Sequence, residues 1–443
     1  MPVQTVEIGQ IVGLTREGEG VVHEGKTVFV AGALPGERVR YRIVRRRRRH
    51  AEAQLLEVLE AAPERATPPC PHFGVCGGCA LQHLKPEAQL AAKDLELREA
   101  LARIGRVQPQ EWLAPLAGPL WGYRRRARLG AKFVTRKSRV VVGFRERLAP
   151  YVAELHSCAV LDPAVGELIT PLAELLNSLS IRDRVPQIEV ARADNAVALV
   201  LRTLAPLSSE DEGRVRSFAA ERAVRIYLQP GGPDTVHELA PGGSEPLRYA
   251  LANCGLELEF APTDFVQINA AVNQALIERA LELLQPTRSS VVLDLYCGLG
   301  NFTLPLAQRA GHVVGVEGEP ALVARARHNA ARNGLANTEF HIANLGETPE
   351  PTISWWKRRY THVVLDPPRV GAQAVLGAIA AVRPQRLLYI SCHPGSLARD
   401  LGVLVHDHGF ELKVTGVLDM FPHTAHVESI ALLGHPGASE SSA

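Results

Sequence analysis

Apolar and polar positions along this chain change period twice, dividing it into three parts. From Val6 to Glu60, short alternating runs broken by glycine (VEIGQIVGL, GVVHEG, KTVFVAGALPGERVRYRIV, AQLLEVLEA) predict closely spaced strands and a small β-barrel of OB type. After the proline-rich Pro63–Pro71, residues Leu90, Leu97, Leu101 and Ile104 predict an amphipathic helix over Leu84–Gly105, ended by its glycine. Strand patterns return from Trp121 (GYRRRARLGAKFV, RVVVGFRE, PQIEVARADNAVALVLRTL, VRIYLQP), giving a central mixed α/β domain. From Asp264, the helix DFVQINAAVNQALIERALELL precedes SVVLDLYCGLGNFTLPLA, which reads as strand, glycine turn and helix. HVVGVEGEPALVARARHNAARNG, THVVLDPPRVG and RLLYISCHPG repeat that order, and HTAHVESIALLGH adds a last strand. Strand alternating with helix predicts a doubly wound parallel sheet. The expected divisions are 1–62, 63–262, 263–437 and a small polar tail, 438–443, expected to be disordered.

Bulk composition narrows the class. In 443 residues, 46% hydrophobic and 22% charged, no apolar run reaches about 18 residues, and Met1–Gln10 lacks the apolar core of a signal peptide. A cytoplasmic monomer with no membrane partner is expected. The net charge of +2 says little about nucleic acid, but its distribution says more. Arg38–Arg49 holds eight arginines and no acid, which suits phosphate-backbone contact as well as a solvated loop. Tyr123–Arg139 mixes Tyr123 and Phe133 with basic residues, a composition that suits backbone contact with base stacking, or simply an exposed strand face.

Three of the seven cysteines cluster in CPHFGVCGGCALQH, at 70, 76 and 79. Gly77 and Gly78 let Cys76 and Cys79 face one ion or cluster, and Cys158 in ELHSCAVLDP is the leading fourth ligand, ahead of His72 and His83. Spacing alone leaves zinc, an iron–sulfur cluster and incidental clustering open. In the last third, Asp294 ends the first strand of DLYCGLGNF, and Gly298 and Gly300 open the turn. Residue 303 is threonine where a dinucleotide fingerprint would have its third glycine. Glu317, 23 residues after Asp294, is placed to bind ribose hydroxyls. That combination suits S-adenosylmethionine, which has no pyrophosphate to cradle, with a nicotinamide as the runner-up. Cys392 lies between a strand end and the helix opened by Pro394 and Gly395, where unpaired N–H groups are expected to favour a thiolate. The same position also suits a cysteine packed as a small hydrophobe.

DFVQINA, DLYCGLGNFTLPLA, GVEGEPALV, YISCHPGSLARD and DMFPHTAHVES, taken in order, resemble the motifs of the uracil-5-methyltransferase family that modifies RNA, most of all its 23S ribosomal RNA branch. The amino-terminal segment resembles that family's TRAM domain, and CPHFGVCGGCALQH its cluster motif. The resemblance implies a Rossmann-like S-adenosylmethionine-dependent methyltransferase fold behind a TRAM-type barrel and an iron–sulfur domain. Cys392 would attack C6 of uracil and Glu428 would remove the C5 proton. Gln267, Tyr296, Asn301, Glu317, Asn344 and Asp366 would hold the cofactor. Cys70, Cys76, Cys79 and Cys158 would hold a [4Fe–4S] cluster used for folding or RNA binding. The implied substrate is 23S ribosomal RNA, with transfer RNA as the alternative and a non-catalytic RNA-binding protein as the reading from another class.

Overall fold

The computed structural model describes residues 5–23, 25–147, 149–240, 245–348, 350 and 353–435. The expected tail, 438–443, lies outside them. Alternation builds the amino-terminal sheet: in Arg38–Arg46, Val39, Tyr41 and Ile43 are buried while the arginines between them face outward. The strand order is Val6–Gln10, Arg38–Arg46, His50–Glu60, Thr27–Ala31, Glu19–Val22, Gly13–Leu14. Its first and last members are halves of one strand bent at Ile11, so the sheet closes on itself. Much of the arginine charge is matched locally: Arg38, Arg40, Arg46 and Arg47 pair with Glu60, Glu57, Glu7 and Glu52.

A second six-stranded sheet, including Arg126–Val134, Gln187–Arg192 and Val197–Arg202, carries the helices Ile169–Ser178 and Ser209–Glu221. The expected unit 63–262 extends beyond it at both ends. The helix Pro86–Ala100 and its π-helical continuation Leu101–Gly105 bury Leu97 and Leu101 among Leu397, Ala398 and Leu401 of the last third. Glu111–Trp112 then joins the carboxy-terminal sheet as an edge strand. The hairpin Leu247–Leu251/Leu256–Phe260 docks on the helix Pro320–Arg332 through Asn329 and Asn333. Pattern analysis shows that a segment has a buried face, but not what covers it. The expected stripe is buried at Leu97 and Leu101, with Leu90 packed against it, but Ile104 is exposed and the polar Gln89 and Lys93 are inside as well. Lys93 is tolerated there because Asp419 accepts from Nζ at 2.7 Å and the Phe421 carbonyl at 3.0 Å.

The carboxy-terminal sheet runs Thr338–Ile342, His312–Glu317, Val291–Leu295, His362–Leu365, Arg386–Ser391, Glu428–Gly434, Glu411–Leu418, Glu111–Trp112. The first five are parallel, whereas Glu428–Gly434 runs against both its neighbours. The expected doubly wound parallel sheet is present in these five strands, and the last strand makes the whole sheet mixed. Its alternating residues feed two apolar layers, Val292, Val313, Val364 and Leu388 on one side and Leu293, Val314, Val363 and Leu387 on the other. The reversed strand brings its first residue, Glu428, to the edge where the parallel strands end. Among the described residues no helix is long and apolar enough to cross a membrane.

Candidate active site and cysteine cavity

Strand direction assembles the site. Ser391 is in register with Ser429, so Cys392, just past one strand, sits beside Glu428, which opens the other. Asp294, Glu317 and Asp366 come from the same edge, at or just beyond their own strand ends. Gln267, Tyr296, Asn301, Glu317, Asp366, Cys392 and Glu428 all line one open cleft. Asn344 is not among its lining residues. Its side chain is exposed, accepting from the Gly346 N–H and donating to Glu347.

The turn after Val291–Leu295 is shaped by positive φ at Tyr296 (64°), Gly298 (55°) and Gly300 (95°). Glu317 is fixed by backbone donors: Gly298 N–H to Oε2 at 3.1 Å, and Gly318 and Glu319 N–H to Oε1 at 2.7 and 3.1 Å. Tyr296 donates its hydroxyl to the Leu345 carbonyl at 3.0 Å. Asn301 exchanges amide hydrogen bonds with Asn273 and accepts from Tyr249. The residues present fit an adenosine-bearing ligand: an acid for ribose hydroxyls and a glycine turn that lets backbone approach.

Burial dominates the electrostatics. Glu428 is pushed up to about 8 by burial, then by Asp366, with Arg369 acting against both. Asp366 is pushed up to about 7 by burial. Asp294 also reaches about 7, chiefly through burial, although Thr303 donates to it at 2.5 Å. Cys392 is raised by burial and then by Glu428, while Arg369 lowers it. The expected thiolate-stabilising helix mouth is thus corrected. The helix Pro394–His406 is capped by His393, whose Nδ1 accepts the Ser396 N–H at 2.9 Å. Pro394 has no N–H, so that helix end gives Cys392 too little to offset its burial. Sequence reading passed over Arg369, His426, Phe421 and Tyr249 as lining residues. Arg369 directly follows Asp-Pro-Pro and His426 stands two residues before Glu428, so adjacency was the available signal.

Cys70, Cys76, Cys79 and Cys158 line a second, separate cavity with Phe73, Trp121, Phe144 and Val160. Burial, with a smaller contribution from the neighbouring thiols, raises Cys76 to about 11 and Cys79 to about 12. Gly78 N–H points to Cys76 Sγ at 3.4 Å. His72 also lines the cavity, but its Nε2 accepts from the His156 N–H, and His83 is not among the lining residues. Among the described residues no three His, Cys, Asp or Glu side chains gather around a single-ion position.

The two sites share a support. Ala80 and Leu81, directly after Cys79, both donate backbone N–H groups to the His423 carbonyl at 2.9 Å. Trp121 of the cysteine cavity stacks on His423 at 4.0 Å, and Gln89 bonds its backbone N–H and ring. With Lys93 on Asp419 and the Tyr123 hydroxyl on the Pro422 carbonyl, these contacts fix the loop that leads into Glu428. Tyr123 is therefore buried rather than available for base stacking. Phe133 lies under the Arg182 guanidinium, and Arg125, Arg128 and Arg139 pair with Asp194, Glu189 and Glu154.

Comparison with known proteins places the chain in a family. Residues 250–435 match the family model described as tRNA (Uracil-5-)-methyltransferase. A protein of Alkalilimnicola ehrlichii named 23S rRNA (uracil(1939)-C(5))-methyltransferase RlmD is 53% identical over 98% of this chain and 97% of its own. A protein of Aromatoleum aromaticum with the same name is 47% identical over 98% and 99%. The crystal structure of Pyrococcus abyssi tRNA (uracil-54, C5)-methyltransferase in complex with S-adenosyl-L-homocysteine superposes with a TM-score of 0.75. It is 24% identical and covers 96% of this chain and 100% of its own, a likeness of fold. With 53% identity sustained along nearly its whole length, the chain belongs to the RNA uracil-5-methyltransferase family.

Proposed function

We propose that this protein transfers a methyl group from S-adenosylmethionine to C5 of a uridine in 23S ribosomal RNA. The observation that carries the reading is the placement of Cys392 and Glu428 side by side, at adjoining strand ends, in the cleft that Glu317 and Asp366 also line. When bound, S-adenosylmethionine supplies a methyl group activated as a sulfonium. Gln267, Tyr296, Asn301, Glu317 and Asp366 would hold it; Asn344, turned to Gly346 and Glu347, would need to move to join them.

Uracil C5 is a weak nucleophile, and Cys392 cures that. Its sulfur forms a bond to C6 and pushes the C5–C6 electron pair onto C5, the atom to be methylated. Once C5 has used that pair to take the methyl group, Glu428 removes the C5 proton; the released pair re-forms the double bond and expels Cys392. The mutual opposition of the two groups suits this order. Cys392 ionises more readily while Glu428 is neutral, and once the sulfur is bonded to carbon its charge no longer opposes ionisation of Glu428. Arg369 favours the charged form of each.

Cys70, Cys76, Cys79 and Cys158 would hold a [4Fe–4S] cluster. Four cysteines lining one shared cavity are the donor set that such a cluster takes. The closed amino-terminal sheet would act as a TRAM-type RNA grip through its outward arginines. RNA carrying 5-fluorouridine tests the reaction: a stable covalent adduct is expected, because fluorine at C5 leaves Glu428 no proton to remove. Absence of that adduct with an RNA the enzyme methylates would overturn the mechanism. Mapping 5-methyluridine in 23S and transfer RNA, with and without the gene, tests the substrate.

A further inference from the structure

Beside Cys392 the barrel touches the catalytic domain through a contact that does not satisfy its own atoms. Arg16, in the tight turn Thr15–Gly18, places Nη1 2.5 Å from Nε2 of His393. The turn is held by Thr15, whose hydroxyl accepts the Glu17 and Glu19 N–H groups, and Arg16 Nε lies 3.3 Å from Glu96 Oε1. His393 cannot serve as acceptor for Arg16. Its Nδ1 already accepts the Ser396 backbone N–H at 2.9 Å, so the neutral ring carries its proton on Nε2. Among the described residues the only recorded partner of that Nε2–H is a guanidinium that is itself a donor. Two donors therefore face each other, one from each domain.

We infer that Arg16 and His393 form a seat for one phosphodiester oxygen of the substrate RNA, on the 5′ side of the target uridine. An anionic oxygen entering between them would accept from both and relieve the conflict. Position selects the phosphate. In an anti pyrimidine nucleotide the C6 edge faces its own 5′ side, and the residue that attacks C6 is the neighbour of His393 in the chain. Glu96 holds Arg16 in place from its other edge. The seat makes the barrel a direct participant in positioning the reacting nucleotide, and Arg16 a positioning residue rather than one of many backbone contacts. The inference rests on the RNA-methylating reading above.

The test combines Arg16→Gln with RNA in which a single phosphate is replaced by neutral methylphosphonate. In the wild type, substitution 5′ of the target is expected to raise KM roughly tenfold with kcat little changed. Arg16→Gln should cost the same on unmodified RNA, and should remove any further penalty from the methylphosphonate. An undiminished methylphosphonate penalty in the variant overturns the seat, as does a penalty confined to another phosphate. A rise in KM for S-adenosylmethionine instead would assign Arg16 to the cofactor's carboxylate. Direct binding of the same RNAs, without turnover, reads the seat even if the target reading is wrong. Wild-type enzyme that binds RNA with the expected penalty but methylates neither ribosomal nor transfer RNA would sink the function and leave the seat standing.

Discussion

The cysteine cavity and the cleft beside Cys392 set the same residue type in opposite surroundings. In both, burial raises the thiols, so burial does not tell them apart. Their neighbours do. Cys76 and Cys79 face other thiols and an apolar wall of Phe73, Phe144 and Trp121, where each ionisation makes the next harder. Such a set becomes jointly thiolate only around multivalent positive charge. Cys392 is half-buried and flanked by Arg369 and by a carboxyl raised by its own burial. On the proposed function, the first set would be filled once, during folding, whereas Cys392 would form and release a bond in every turnover. The loop Asp419–Thr424 ties them together, hanging from Ala80, Leu81 and Lys93 on one side and leading into Glu428 on the other.

The sharpest way to separate them is to remove one sulfur from each. Cys392→Ala should lower 5-methyluridine formation by at least about 10³-fold while leaving iron content and melting temperature near wild type. Glu428→Gln should lower turnover by about 10²-fold or more, with covalent enzyme–RNA adduct accumulating on ordinary RNA, visible on a denaturing gel. Its pH profile carries a second sign. A base raised to about 8 is protonated below that pH, so wild-type kcat/KM should climb as pH rises toward 8. The raised Cys392 pushes in the same direction. In Glu428→Gln the limb due to the carboxyl should disappear, and an unchanged profile would remove Glu428 from the base role.

Cys79→Ser should act differently: iron and sulfide fall, melting temperature falls, and turnover falls with them because the His423 anchor follows directly in the chain. Lys93→Met tests that anchor without touching a cysteine. Stranding buried Asp419 costs about 3–5 kcal/mol, measurable by denaturant unfolding, and turnover should drop with iron content intact. If Lys93→Met instead costs nothing in stability, the two sites are not joined through this loop.

Much of this was legible before any coordinates. Period-2 runs and glycine breaks marked the barrel strands, and strand–turn–helix repeats marked the carboxy-terminal sheet, because backbone geometry writes those periods directly. Gln267, Glu317, Asp366, Cys392 and Glu428 were named from motifs and share one cleft. Most of the illegible parts depended on partners distant in sequence. The strand Glu411–Leu418 passed unnoticed, and Glu111–Trp112, far away in the chain, pairs with it. Lys93 sat unnoticed in the buried stripe because its Asp419 partner lies more than 300 residues on. Cys392 was expected to be activated by a helix end, and His393, the very next residue, takes up that end's Ser396 N–H.

The smallest expected effect is the most exacting check on the comparison. Cys297 also lines the catalytic cleft, yet it is buried within the cofactor turn and its carboxylate neighbours Asp294 and Glu317 raise it further, with no arginine opposing them. Its N–H is bonded to the Val316 carbonyl, and its sulfur packs against Gly315, where an added Cβ would stand 3.0 Å away. By the argument from neighbours it is a packing thiol despite its address. Cys297→Ala should therefore leave a small void costing about 1 kcal/mol. Turnover should stay within roughly twofold of wild type, and the 5-fluorouridine adduct should form at full yield. Loss of that adduct in Cys297→Ala, with Cys392 intact, would mean that proximity to the cleft matters more than the charges around the sulfur.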